Sequence, residues 1–173
     1  MLDFMVVGLP RSGTTWAANW LTTATTLCVH DPLRLAPLAD WDACLAAPGR
    51  LAGVSCTGAW FWPDRLSAHP ARKLILHRPR AEVEASLQRL GLPMPPHPAR
   101  LDRVEGLHVE WSGLFDPAIA ARLWDHLTGL PFDVERHAVL REMVVHPRLK
   151  GLSMNAHAVR DLVAELRASV GEG

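Results

Sequence analysis

Residues 6 to 16, VVGLPRSGTTW, narrow the choice of fold more than any other stretch of the chain. The apolar run from Phe4 to Val7 has the length of a short buried strand, and it stops at Gly8. Gly8 and Gly13 bracket a tight turn, after which Trp16, Ala17, Trp20 and Leu21 recur along one helix face. A strand that runs through a glycine-rich turn into a helix is the first half of a strand–helix–strand unit. Such units close right-handed and lay their strands parallel, with helices on both faces. The expected architecture is a three-layer α/β fold with a mostly parallel central sheet of about four to five strands.

The rest of the chain continues the alternation. TLCVHDP reads as a second strand ending near His30 and Asp31, where Pro32 breaks it, and LAGVSCTG reads as a third. KLILH, from Lys73 to His77, is a strongly apolar strand. Between them DWDACLAA has an acidic helix start at Asp40, and WPDRLSAH is a short helix opened by Pro63. A clearer helix follows KLILH: Pro79 at its start, Glu82 and Glu84 in its early turns, a stripe of Val83, Leu87 and Leu90, and Gly91 to end it. GLPMPPHPARL, with its prolines, reads as an irregular, lid-like loop beside the active face. Residues 98 to 170 are expected to be mostly helical: Ile119, Leu123 and Trp124, then DVERHAVLREMV, then Val159, Leu162, Val163, Leu166 and Val170, with MVVHP as a last short strand. No internal repeat interrupts the pattern, so a single domain over 1–173 is expected, its chemistry concentrated in residues 4–90.

Composition excludes several classes of function. With 18 basic and 18 acidic residues the chain has no net field to draw nucleic acid or a membrane, so neither is an expected partner. Three cysteines, Cys28, Cys44 and Cys56, without C-x-x-C spacing fit neither a disulfide framework nor a zinc site; a reducing cytoplasm is the expected setting, with no metal. With the glycine-rich loop so soon after Met1, no signal peptide is expected, and no apolar run approaches the roughly 20 residues of a membrane helix.

The loop itself points to an anion. Gly8 and Gly13 have the spacing of the phosphate-binding pattern G-x-x-x-x-G-K-[ST], whose backbone N–H groups converge on an oxyanion at the start of a helix. The lysine that reaches terminal phosphates is missing, because Thr14 takes its place, and KLILH ends in His77 and Arg78 rather than in a magnesium-binding acid. The positive charge has moved to Arg11. A sulfuryl group carries less charge than a phosphoryl group, and a cation with backbone donors suffices to stabilise its transfer without a metal. Ser12, Gly13, Thr14 and Thr15 add donors, and Trp16 offers a face for an adenine.

PRSGTTW resembles the 5′-phosphosulfate loop of the sulfotransferases that use 3′-phosphoadenosine 5′-phosphosulfate, a family with a parallel α/β phosphate-loop fold. A second segment strengthens the likeness. The family's 3′-phosphate signature is an arginine at a strand end and a serine eight residues later, and LILHRPRAEVEAS holds Arg78 and Ser86 at that spacing, about 65 residues beyond the loop. The resemblance implies that Arg11 faces the bridging oxygen of a phosphosulfate, that Ser12 to Thr15 cradle its 5′ end, that Trp16 stacks on adenine, and that Arg78 and Ser86 hold the 3′-phosphate. It also implies a small-molecule or glycan acceptor. RLKG, at Arg148, Lys150 and Gly151, echoes a third cofactor segment of the family.

Transfer to a hydroxyl needs a general base. The family's histidine, in a Thr-His context about 22 residues before the arginine, would fall near Cys56, and GVSCTG has none. His30 and Asp31, at the end of the second strand, are the replacements the sequence offers; Asp64 beside Trp60 and Trp62, as part of an acceptor pocket, is a further one. Two other readings remain open: a non-catalytic nucleotide-binding module and a diverged kinase.

Overall fold

The computed structural model describes residues 1–142, nearly all of a compact unit that spans Met1–Met143. Three expectations lie outside the described residues: the strand at MVVHP, the RLKG segment, and the helix carrying Val159 to Val170. So does the part of the single-domain expectation that concerns residues 143–173.

The centre is a parallel sheet of five strands: β1 (Phe4–Gly8), β2 (Thr26–His30), β3 (Leu51–Cys56), β4 (Arg72–His77) and β5 (Leu107–Glu110), in the spatial order β2-β3-β1-β4-β5. The expected α/β architecture is what is found. β1 lies in the middle and is buried along its whole length, which is why its apolar run is continuous. Its register sets Phe4 beside Gly53 and Arg72, and Val7 beside Cys56 and Ile75. All five strands are parallel, so every carboxyl end, and every loop leaving one, emerges at the same edge.

One face of the sheet is covered by α1 (Thr14–Trp20), α5 (Pro117–Thr128) and α6 (Val134–Glu142). Trp16, Trp20 and Trp124 are buried there, and neighbouring rings lie 5.5 Å apart. His137, fully buried, closes the group edge-on to Trp16. Asp116 starts α5 by accepting from the N–H groups of Ala118 and Ile119, at 2.8 and 3.1 Å, with Pro117 in the first turn. Against the other face pack α2 (Trp41–Cys44), α3 (Pro63–Ala68) and α4 (Arg80–Gln88), whose Trp41, Leu66, Val83 and Leu87 share a core with Met5, Val7 and Ile75. Among the described residues no helix is long and apolar enough to cross a membrane.

Three local expectations need correction. β5 was not anticipated: three of its four residues are exposed, so it lacks the apolar run that marks an interior strand. The proline-rich stretch is not irregular throughout, because Pro98 opens a 3-10 helix to Arg103, with its fixed φ already suited to a first turn and Leu101 buried beneath it. Leu90 does not belong to the stripe of α4. That helix ends at Gln88, Leu90 is exposed, and the third buried position is Ser86.

Candidate functional site at the carboxyl edge of the sheet

The loop from Leu9 to Gly13 leaves the central strand and turns sharply enough that Arg11, with φ 70°, and Gly13, with φ 86°, both occupy the left-handed region. Glycine takes that conformation freely; arginine does so at a cost of about 1–2 kcal/mol. The helical bonds of α1 begin with the Ala17 N–H donating to Gly13 O at 2.9 Å, which leaves the N–H groups of Thr14, Thr15 and Trp16 without intrahelical partners. Beneath the turn, Ser55 Oγ on β3 donates to Thr14 O at 2.8 Å and pins the start of α1 to the sheet. Ser12 Oγ is buried with no hydrogen-bond partner among the described residues.

Arg11, Arg78 and Ser86 are brought together. The Arg11 Nε–H donates to Ser86 Oγ at 3.0 Å, and Arg78 NH1 donates to the Arg11 carbonyl at 2.5 Å. Arg78 follows the last residue of β4, next to the loop because β4 is hydrogen-bonded to β1. Its Nε donates to Glu82 at 3.0 Å, one helical turn on, and its guanidinium carbon lies 4.2 Å from the centre of the Trp111 ring. Residues 67 and 75 positions apart in sequence thus form one continuous cationic group. The direct link from Arg11 to Ser86 was not foreseen: the sequence assigned the two to opposite ends of a ligand.

His30 closes the other side of the loop. Its Nε2 is 3.2 Å from Thr15 Oγ1 and 3.4 Å from Thr14 Oγ1, and 3.7 Å from the Asp31 carboxylate. Burial pulls the His30 pKa below the ordinary histidine value; the Asp31 charge opposes that shift and Arg34 adds to it. The ring is therefore neutral near pH 7, a state in which one nitrogen is free to accept a proton. Both oxygens of the Asp31 carboxylate are engaged. Its Oδ1 accepts from both the N–H and the hydroxyl of Thr57, at 2.7 and 2.9 Å, and its other oxygen faces His30 and Arg34.

Trp16 is not an open aromatic face, which corrects its assignment to adenine. It is 6% exposed, its Nε1 donates to Leu140 O at 3.0 Å, and Phe115, Trp20 and His137 surround the ring. The half-buried aromatic beside the loop is Trp111, which the sequence reading passed over; an added Cβ on Gly13 would come within 3.9 Å of its ring. Trp60 is likewise core, stacked on Phe61 with its Nε1 donating to Thr57 O. Trp62 and Asp64 do line an open pocket of about 280 Å³ with Arg65, Arg100 and Arg103, where Asp64 is paired to Arg103 at 3.1 Å. Cys56, where the family's histidine would fall, is buried, and burial pushes its thiol up to about 11, away from nucleophilic or basic use. Among the described residues no three His, Cys, Asp or Glu side chains gather as a metal ion requires.

No protein-family model matches the chain, and no curated protein or solved structure shows a significant match to it.

Proposed function

We infer that the protein is a sulfotransferase-like enzyme that binds 3′-phosphoadenosine 5′-phosphosulfate and passes its sulfuryl group to a hydroxyl or amine of a small-molecule or glycan acceptor. The observation that carries this reading is the convergence of Arg11 with Arg78 and Ser86, two distant segments that meet where strands β1 and β4 end. A single-phosphate loop needs no such second cationic arm. A ligand with an anionic group at each end does.

The residues fit that ligand. Backbone N–H groups at Thr14 and Thr15 and the Ser12 hydroxyl, none with a hydrogen-bond partner among the described residues, form a donor cradle for the 5′ end. Arg11 spends only its Nε on Ser86, so its terminal N–H groups have no partner among the described residues and remain for an oxyanion. Arg78 NH2 is likewise unengaged, as is the hydroxyl proton of Ser86, and these suit a 3′-phosphate. When bound, the phosphosulfate supplies the sulfuryl group. Arg11 stabilises the negative charge that develops on its phosphate side, and neutral His30 holds the acceptor's proton at Nε2. Asp31 keeps the His30 turn in place through Thr57.

A second reading, a nucleotide-binding module without turnover, draws on the buried, unreactive Cys56 at the position of the family's base. Titration calorimetry with 3′-phosphoadenosine 5′-phosphate and with Mg-ATP, repeated on Arg78→Ala, separates the possibilities. The expected result is binding of the bisphosphate that Arg78→Ala weakens at least tenfold, with no response to Mg-ATP. Binding of Mg-ATP alone overturns the reading. Binding of the bisphosphate without turnover across a broad acceptor panel favours the module.

A further inference from the structure

Trp111 occupies a position that the sheet dictates. β5 pairs with β4 so that Leu76 lies beside Val109 and His77 beside Glu110. The next residues in this parallel register are Arg78 and Trp111, the first to leave the sheet at its carboxyl edge. The indole covers the Arg78 guanidinium at 4.2 Å, and Phe115 stands edge-on to it at 5.3 Å, itself packed against Trp16. Arg78 is thus held on three sides: the Trp111 face, Glu82 at Nε and the Arg11 carbonyl at NH1. Among the described residues, what remains open is the NH2 edge.

We propose that Trp111 is the positioning residue for Arg78, fixing its guanidinium plane so that the free NH2 edge presents a preset fork to an anion and tunes the site for nucleotides bearing a 3′-phosphate. The inference rests on the reading of the site given above. The physical reason is that a guanidinium binds phosphate best when its plane is held before the ligand arrives, because less side-chain freedom is lost per bond formed. Glu82 alone does not achieve this, since its half-exposed carboxylate is a weakly held partner. Trp111 adds a flat surface that fixes the plane without using any of the N–H groups a phosphate needs.

The test compares Trp111→Leu and Trp111→Phe with the unaltered chain, measuring affinity for adenosine 3′,5′-bisphosphate and for adenosine 5′-phosphate. Trp111→Leu is expected to weaken the bisphosphate by about fivefold, the scale of a partly exposed cation–π contact, and to leave the monophosphate within about twofold. Trp111→Phe is expected to recover most of the loss. Equal weakening of both nucleotides, or none, overturns the positioning role while leaving the cofactor reading intact. If the unaltered chain binds neither nucleotide, the cofactor reading falls and this inference with it. Should Trp111→Leu not fold, Trp111→Phe and Trp111→His in the Arg78→Ala background decide the matter: there the selectivity should no longer respond to residue 111, and a persisting response refutes the proposal.

Discussion

Gly53→Ala tests the register on which the position of the whole site depends. Gly53 lies beside Phe4 in the pairing of β3 with β1, and the Phe4 ring covers it: a Cβ added there would sit 2.1 Å from one ring carbon and 2.3 and 2.4 Å from two others. Carbon atoms pack at about 3.5–4.0 Å, so the ring must retreat by well over an ångström. Phe4 is wholly buried on the central strand and has no solvent to move into. One extra carbon forced into a packed core costs about 1–3 kcal/mol, and replacing a strand glycine by alanine returns about 0.5–1 kcal/mol through the unfolded chain. The clash here is severe enough to set the net loss near the upper part of that range, about 2 kcal/mol, or roughly 4–8 °C in Tm for a chain of this size. Urea denaturation followed by tryptophan fluorescence measures it. In a Phe4→Leu background the same methyl meets a smaller, more compliant side chain, and its cost should shrink by about 1 kcal/mol or more. A Gly53→Ala penalty that is the same in both backgrounds, or absent in the first, would mean that Phe4 and Gly53 are not neighbours and that the strand order around the loop is wrong.

Two further outcomes concern the loop and His30. Arg11→Gly should be more stable than Arg11→Ala by about 1 kcal/mol, because only glycine takes the φ of 70° without a Cβ penalty; both should lose affinity for adenosine 3′,5′-bisphosphate, and equal melting midpoints for the pair would refute the left-handed assignment. The pKa of His30 is lowered by burial, so as pH falls through its unfolded value of about 6.5 the unfolded chain takes up a proton before the folded one does. Stability contributed by His30 is therefore fully present above that value and is lost as pH falls from it toward the folded pKa. His30→Gln should flatten this part of the stability–pH curve, and a curve of unchanged slope in urea melts over this range would show that the imidazole is not held neutral.

The parts of this fold that were legible in the sequence are those whose signal is local. β1, β3 and β4 are interior strands flanked on both sides, so they must be apolar almost throughout, and the runs at Phe4 and Lys73 say so directly. β5 is an edge strand with one neighbour and three exposed residues, and only its pairing with β4 makes it a strand at all. The same distinction divides the site. The glycine spacing of the loop and the arginine–serine spacing after β4 are short-range features, and the strand ends and helices that carry them are where the sequence put them. Trp16 and Trp111 differ in a way no local pattern records. Trp16 is enclosed by Phe115, His137 and Leu140, residues about a hundred positions or more away, and Trp111 reaches Arg78 only through the register of β5.

Ser86 shows how one position can serve both descriptions. As the third buried residue of α4, beside Val83 and Leu87, it occupies a place that the apolar stripe of the helix would give to a hydrophobic side chain. A buried hydroxyl there is costly unless it is bonded, and its partner is the Nε–H of Arg11, in a loop whose unfavourable backbone is in turn held by Arg78 through the Arg11 carbonyl. The strained arginine, the buried serine and the strand-end arginine therefore compensate one another. Neither Arg11 nor Ser86 is a sensible choice for stability alone, since an asparagine or glycine at residue 11 and a leucine at residue 86 would fold at lower cost. Together they leave N–H groups that have no partner among the described residues at the same edge of the sheet, the arrangement on which the proposed ligand with two anionic ends rests.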